Sequence, residues 1–278
     1  MQIPKMTADD DGRYCSEDAL ASVREQVVRA DCNARGRLAF LILSGAFNPI
    51  HTQHVNACRL ARKYARDLGW AVVGAFLAPS SDAYVEAKLG DAALCLQRRK
   101  QLCQVAVEGL DWIHVCLQGE FSSNKVRRGI RRELERYLAD LLNGRQLTGV
   151  EIMGSDTAVR LLDRIITQSR GGPAPSTQRG RTIFCFLRPG PEHAQERQYL
   201  AEALLPPAAR LGIEVKLLDT ASIDPAPGWV SSSAIRELIS RGDWRVLRSK
   251  AWLRPAVLDT LQTWADHSAR LWGAPDIE

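Results

Sequence analysis

Residues 38–54 read Leu38-Ala-Phe-Leu-Ile-Leu-Ser44-Gly45-Ala46-Phe47-Asn48-Pro49-Ile50-His51-Thr52-Gln53-His54. The first six are apolar without a break. That length suits a strand, and the unbroken apolarity suits one covered on both faces. Gly45 and Asn48-Pro49 supply turn chemistry. Beyond the histidines, Ala57, Leu60, Ala61, Tyr64, Ala65 and Leu68 recur at i, i+3 and i+4, the period of an amphipathic helix. Strand, tight turn and helix open a βαβ unit.

The alternation continues along the chain. Trp70 to Leu77 reads as a second buried strand, Ala78 to Gly90 as a loop and Asp91 to Val107 as a helix. Trp112 to Leu117 is strand-like. Val126, Ile130, Leu134, Tyr137, Leu138 and Leu141 mark one face of a long helix whose other face carries Arg127, Arg128, Arg131, Arg132 and Arg136. Val150 to Met153 and Ser155 to Ile166 form the next strand and helix, followed by a surface loop over Gly171 to Gly180. Thr182 to Leu187 and Ile213 to Leu218 are strands with a helical pattern between them, and beyond Asp224–Gly228 the chain reads as helical. The expected fold is α/β: a doubly wound, Rossmann-like parallel sheet with a helical C-terminal segment. Residues 1–37 form an extension with one peripheral helix, Ser16 (N-cap) to Cys32, and residues 38–278 form one domain.

Composition narrows the class. With 278 residues, 45% hydrophobic and 25% charged, the chain can bury a core without disulfides or metal, which excludes a fibre or a disordered segment. No apolar run approaches the roughly 18 residues of a membrane span. The seven cysteines never fall in C-x-x-C spacing, so neither a disulfide framework nor a zinc site is expected. The N-terminus lacks a signal-peptide core, and Asp9 to Asp11 disfavour a transit peptide; an intracellular protein, cytoplasmic or nuclear, is expected. Formal net charge is +5, and 30 of the 37 cationic side chains are Arg. Arg suits bidentate anion contacts, although composition bias accounts for the count as well. The Arg-rich face over 126–141 reads as a solvated helix face diluted by Glu133, Glu135 and Asp140, so neither a nucleic-acid nor a membrane partner is expected. A homo-oligomer is left open.

In open α/β sheets, ligands bind beyond the carboxyl ends of the strands. His51 and His54 fall at the start of the helix that follows the first strand, where free N–H groups and the helix dipole suit a polyphosphate. Two imidazoles there can donate to phosphate oxygens. Farther on, one of Ser231, Ser232 and Ser233 can cap a helix while the others bind phosphate, with Arg236 one turn later as a cationic fork. Trp229 stands beside this motif as a candidate pocket residue.

Gly45-Ala46-Phe47-Asn48-Pro49-Ile50-His51-Thr52-Gln53-His54 resembles the G-x-F-x-P-x-[HT]-x-x-H signature of the nucleotidyltransferase superfamily. Three further segments resemble its nicotinamide (nicotinate) mononucleotide adenylyltransferases of eukaryotic type. Pro79-Ser80-Ser81-Asp82-Ala83-Tyr84 is similar to their S-P-V-x-D-x-Y loop, Gly154-Ser155-Asp156 matches G-[AS]-D, and Trp229 to Arg236 resembles I-S-S-T-x-I-R. The resemblance spans about residues 38 to 250. It implies transfer of the adenylyl group of ATP to nicotinamide or nicotinate mononucleotide, with Mg²⁺ carried on the ATP phosphates. His51, His54 and Arg236 would be catalytic. Gly45, Ala46, Phe47, Gly154, Asp156, Ser232 and Ser233 would join them around ATP. Ser44, Tyr84, Arg99 and Gln118 would bind the phosphorylated acceptor.

The acceptor side departs from the family. Val85, Glu86 and Ala87 stand where the family has phosphate-binding Lys residues, with Lys88 a residue or two out of register. Gln118 stands in place of a ring-stacking Trp, and no Trp follows Gly154-Ser155-Asp156 in Leu161 to Ile166. A related transferase with another acceptor, or with CTP as donor, is therefore an alternative, and a non-catalytic nucleotide-binding regulator or chaperone is a third. A class I aminoacyl-tRNA synthetase is excluded, since no K-M-S-K-S-like segment is present.

Overall fold

The computed structural model describes residues 12–31, 37–119, 123–169, 178, 180–187, 190–219 and 230–267. Among these, six strands form one parallel sheet: β1 (Leu38–Gly45), β2 (Ala71–Pro79), β3 (Ile113–Val115), β4 (Leu147–Gly154), β5 (Arg181–Leu187) and β6 (Ile213–Asp219). Their order is β3-β2-β1-β4-β5-β6, the doubly wound arrangement. Chain direction across the sheet reverses between β1 and β4, which opens a crevice at their carboxyl ends.

Twelve α-helices among the described residues surround the sheet: α1 (Glu17–Asp31), α2 (Thr52–Asp67), α3 (Asp82–Leu89), α4 (Leu96–Val107), α5 (Ser123–Tyr137), α6 (Ala139–Leu142), α7 (Ser155–Gln168), α8 (Ala194–Tyr199), α9 (Leu205–Arg210), α10 (Ser232–Ser240), α11 (Trp244–Lys250) and α12 (Pro255–His267). Residues 38–43 of β1 are all buried, as an apolar central strand requires. Ala39, Leu41 and Leu43 join the core under α2, α4 and the C-terminal helices. Leu38, Phe40 and Ile42, on the other face, pack with α1 and α5. A third cluster fills the space between β4–β5 and α7–α9.

Three features differ from the sequence expectation. First, the expected loop over residues 78–90 contains α3. Its residues Ala83, Glu86, Ala87, Lys88 and Leu89 are good helix formers, but only Val85 is buried, so no apolar stripe announces the helix. Second, α4 starts at Leu96 rather than Asp91, which lies in a 3₁₀ turn. Third, Arg127 does not belong to a solvated face: it is 5% exposed and reaches Glu151 of β4. At the N-terminus, Ser16 caps α1 by accepting from the Ala19 N–H at 3.2 Å. Cys32, Trp229 and most of the 171–180 loop lie outside the described residues.

Glu151 is the one charged residue of β4 and is 1% exposed. Arg181 binds it bidentately, Nε to Oε1 at 2.8 Å and Nη2 to Oε2 at 2.5 Å. Arg127 Nε lies 3.3 Å from Oε1, and Ser123 Oγ donates to Oε2 at 2.7 Å. Gly149 makes this crossing feasible: a Cβ there would sit 2.8 Å from Arg127 Cγ and 2.7 Å from Phe40 Cζ. Two buried guanidinium groups therefore share one buried carboxylate. Glu151→Gln should cost about 3 kcal/mol or more of stability, the scale for stranding a buried charge, read as a lower urea midpoint at unchanged slope.

Candidate active site

The turn after β1 is held from all sides. Phe47 is 2% exposed and adopts φ +47°, an uncommon conformation for a non-glycine residue. Gly45 leaves room for its ring, since a Cβ there would meet Phe47 Cε1 at 3.3 Å. The ring packs edge-on against His54, with centroids 5.0 Å apart. Asn48 is fully buried; its Nδ2 donates to Ala92 O at 2.7 Å, and its Oδ1 accepts from Leu94 N at 2.7 Å. C-terminal residues close over this turn. Arg236 Nη1 donates to Asn48 O at 2.7 Å, Ser232 Oγ donates to Pro49 O at 2.9 Å, and Thr52 N donates to Trp252 O at 2.9 Å.

His51 is the N-cap position of α2, and its ring stacks on that of His54 at 3.7 Å between centroids. The His51 backbone N–H donates to His54 Nδ1 at 3.1 Å. An accepting Nδ1 carries no proton, so neutral His54 bears its proton on Nε2 and can donate from there. Burial pushes His54 down to about 4, and it pushes His51 well below the ordinary imidazole range, helped by the neighbouring His54. The pair is therefore neutral in the free protein at pH 7.

A cavity of about 400 Å³ opens beside these rings, within the usual range for a small-molecule site. It brings together Ser44, Gly45, Ala46, His51 and His54 from the β1 turn, Gly154 and Asp156 from the β4–α7 junction, and Ser232, Ser233 and Arg236 from α10. Ser231 also lines it and caps α10, accepting from Ala234 N at 3.2 Å. Arg236 Nη2 donates to Ser233 Oγ at 3.1 Å, and burial lowers the Arg236 pKa. Ser44 Oγ and His51 Nδ1, both of cavity-lining residues, are buried without a hydrogen-bond partner among the described residues. Buried polar atoms in native proteins are nearly always paired, so orphans gathered at one cavity mark a place for ligand.

Phe47 stands behind the His54 ring and is not part of the lining. Tyr84, Arg99 and Gln118 also do not line the cavity. Tyr84 is exposed on α3, and Gln118 is half-buried in the turn after β3. Arg99 is fully buried and spends its donors internally: on Leu94 O at 2.8 Å, Ala46 O at 3.1 Å, Ser80 O at 2.7 Å and Asp82 Oδ1 at 2.7 Å. It positions the ends of β1 and β2 instead of meeting a ligand. Lys88, from the unexpected α3, does line the cavity, as do Asn48, Thr157, Phe186 and Val230. Asn48 reads in sequence as a turn residue only. Phe186 and Val230 carry no signal apart from their apolarity.

No family model matches the chain. It is similar to the nicotinamide/nicotinic acid mononucleotide adenylyltransferase of Arabidopsis thaliana, 27% identical over 209 residues, which are 73% of this chain and 80% of that protein. Shorter matches are the corresponding protein of rice, 32% identical over 78 residues, and adenylyltransferase 2 of Xenopus tropicalis, 36% identical over 77. These two span 28% and 27% of this chain, and only 30% and 24% of the relatives. Fold and similarity together support a nucleotidyltransferase-type enzyme. Among the described residues, no helix is long and apolar enough to cross a membrane.

The neutral histidines link stability to pH. His114 of β3, half-buried beside Phe76, is likewise pushed by desolvation to about 4. Unfolded imidazoles take up protons as pH falls through about 6.5, whereas His54 and His114 in the folded protein do so only near 4. The unfolded state therefore binds more protons between these values, and stability falls with pH across that window. Urea unfolding should show a loss on the order of 1 kcal/mol per imidazole between pH 7 and pH 5, and a shallower pH slope in His54→Gln.

Proposed function

We infer that the protein is an adenylyltransferase that joins the adenylyl group of ATP to the phosphate of nicotinamide or nicotinate mononucleotide, releasing pyrophosphate. The observation that carries this reading is the convergence on one cavity of the stacked His51–His54 pair, the Gly154–Asp156 junction and the Ser231–Arg236 helix start. Similarity to proteins named for this activity adds to it.

An acceptor phosphate oxygen attacks the α-phosphorus of ATP in line. The bond from α-phosphorus to the α–β bridging oxygen breaks, and pyrophosphate leaves with that oxygen. Nucleophile and leaving group are already ionised phosphates, so no proton need move. The protein contributes positioning and charge stabilisation. Neutral His54 donates from Nε2 toward oxygens of the α-phosphate, and His51 lies stacked beside it. Ser233, Arg236 and the first-turn N–H groups of α10 receive the β- and γ-phosphates. Gly154 and Asp156 take the ribose side. Mg²⁺ enters as part of the Mg-ATP substrate, held by phosphate and water oxygens as its reluctance to dehydrate favours. Lys88 is the cation best placed on the acceptor side.

Incubation with Mg-ATP and either mononucleotide should yield the dinucleotide and pyrophosphate in equal amounts. His54→Ala should lower kcat by about 10²-fold, the scale of losing one preorganised donor; an unchanged kcat would remove His54 from the mechanism. One observation favours a second reading with a different phosphorylated acceptor: among the described residues no tryptophan lines the cavity, and Arg99 is committed to internal bonds. Failure with both mononucleotides but pyrophosphate release with another phosphorylated acceptor would select it. ATP binding with no pyrophosphate release from any acceptor would leave a nucleotide-binding module.

A further inference from the structure

A second polar pocket, of about 350 Å³, lies at the opposite end of the sheet, where β4, β5 and β6 begin. Arg37, Arg127, Arg131 and Arg181 line it, together with the single carboxylate Glu214. Behind it lies the Glu151 network, in which Arg127 and Arg181 share one buried acid.

The charges around this pocket do not balance. Glu151 serves both Arg127 and Arg181, whose other contacts are to neutral amides: Arg127 Nη2 donates to Asn124 Oδ1 at 2.8 Å and Arg181 Nη1 to Gln178 Oε1 at 2.6 Å. Glu214 is nearer to Lys216, at 3.2 Å, than to Arg37, at 4.0 Å. Arg131 is paired through Nε with Glu135 at 2.7 Å, which leaves its terminal nitrogens without a partner among the described residues. Arg37, Arg127, Arg131, Arg181 and Lys216 thus face Glu135, Glu151 and Glu214, with Arg128 also near Arg127, so positive charge is in surplus. Part of that surplus is buried, since Arg127 is 5% exposed and its Nε makes no hydrogen bond within the described residues. Burial, with Arg181, Arg131 and Arg128 nearby, lowers the Arg127 pKa despite Glu151. Buried guanidinium groups are normally matched by acids, and planar Arg forks match phosphate oxygens in pairs. Gly149, Gly180 and Gly212 line the same pocket and present backbone without side chains to fill it.

We propose that this pocket binds a small phosphate-bearing anion, with Arg37, Arg127, Arg131 and Arg181 as its ligands. A phosphate dianion offsets this surplus of positive charge, and the volume admits inorganic phosphate or pyrophosphate. The site is separate from the candidate active site, which lies at the carboxyl ends of the strands, and it does not depend on the adenylyltransferase reading.

The test is calorimetric titration of inorganic phosphate, paired with thermal unfolding, at an ionic strength fixed with sodium chloride. Arg236→Ala isolates the new site from the candidate active site, and Arg37→Gln/Arg131→Gln disables it while leaving the buried network in place. Phosphate should bind Arg236→Ala and raise its Tm, and the Arg37→Gln/Arg131→Gln protein should bind at this site at least tenfold more weakly. Should the double variant not fold, each single variant must show the same weakening. Glu151→Gln supplies a second readout, since its two stranded Arg residues make phosphate raise its Tm by more than that of wild type. Phosphate binding that disappears in Arg236→Ala but survives unchanged in the Arg37→Gln/Arg131→Gln protein would overturn the proposal, as would no binding at all.

Discussion

Arg99 and Asn48 hold the backbone on which the candidate active site stands. Neither side chain is accessible to solvent; Asn48 spends its hydrogen bonds on main-chain groups of neighbouring segments, and Arg99 does so apart from its bond to the Asp82 carboxylate. Arg99 ties the ends of β1 and β2 to the turn before α4, through the carbonyls of Ala46, Ser80 and Leu94. Asn48 ties the same turn to the β1–α2 loop from the other side. Arg236 then binds the Asn48 carbonyl from a helix 188 residues away in sequence. A left-handed Phe47 persists only where its surroundings over-determine the backbone, and these contacts provide that constraint. The stacked histidines sit at the end of the chain of contacts, so their placement depends in part on Arg99, which does not line the cavity.

This rigidity bears on the electrostatics. A charged imidazole pair at 3.7 Å would repel, and burial holds both rings neutral in the free protein. A neutral donor still stabilises an anionic phosphate, and it does so without a proton that would have to be discharged later. The Nδ1 contact to the His51 backbone decides which nitrogen carries the hydrogen. The local backbone therefore sets the tautomer, and the tautomer sets which edge of the ring can meet a phosphate.

Much of the architecture was legible in sequence because parallel strands buried on both faces leave continuous apolar runs. Leu38–Leu43, Val150–Met153 and Thr182–Leu187 all coincide with strands. The helix α3 was not legible, since a short exposed helix needs no apolar stripe and its residues carry only mild propensity. At the site, local motifs near strand ends converge on one cavity, as the doubly wound topology predicts for turns at adjacent carboxyl ends. Side-chain direction did not follow from the motifs. Arg99 stands in sequence where an anion ligand is expected, yet its burial and partners follow from carbonyls contributed by other segments, which no local pattern reveals. Arg127 illustrates the same limit: its polar neighbours on the helix suggest solvent, while the absent side chain of Gly149 admits it to the interior.

The two ends of the sheet solve opposite problems with the same strand. At its carboxyl end β4 gives way to Gly154 and the start of α7, where Gly154 and Asp156 line the cavity. Three residues earlier it carries Glu151, a buried charge held by guanidinium groups from α5 and β5. Such a network is weak evidence for added stability, because an apolar side chain of similar volume would avoid the desolvation cost altogether. What it does supply is a directional connection between β4, β5 and α5 that apolar packing alone would leave free to slide. Since Gly154 follows on the same strand, the register that Glu151 enforces with Arg181 is also the register in which β4 delivers the Gly154–Asp156 turn to the cavity.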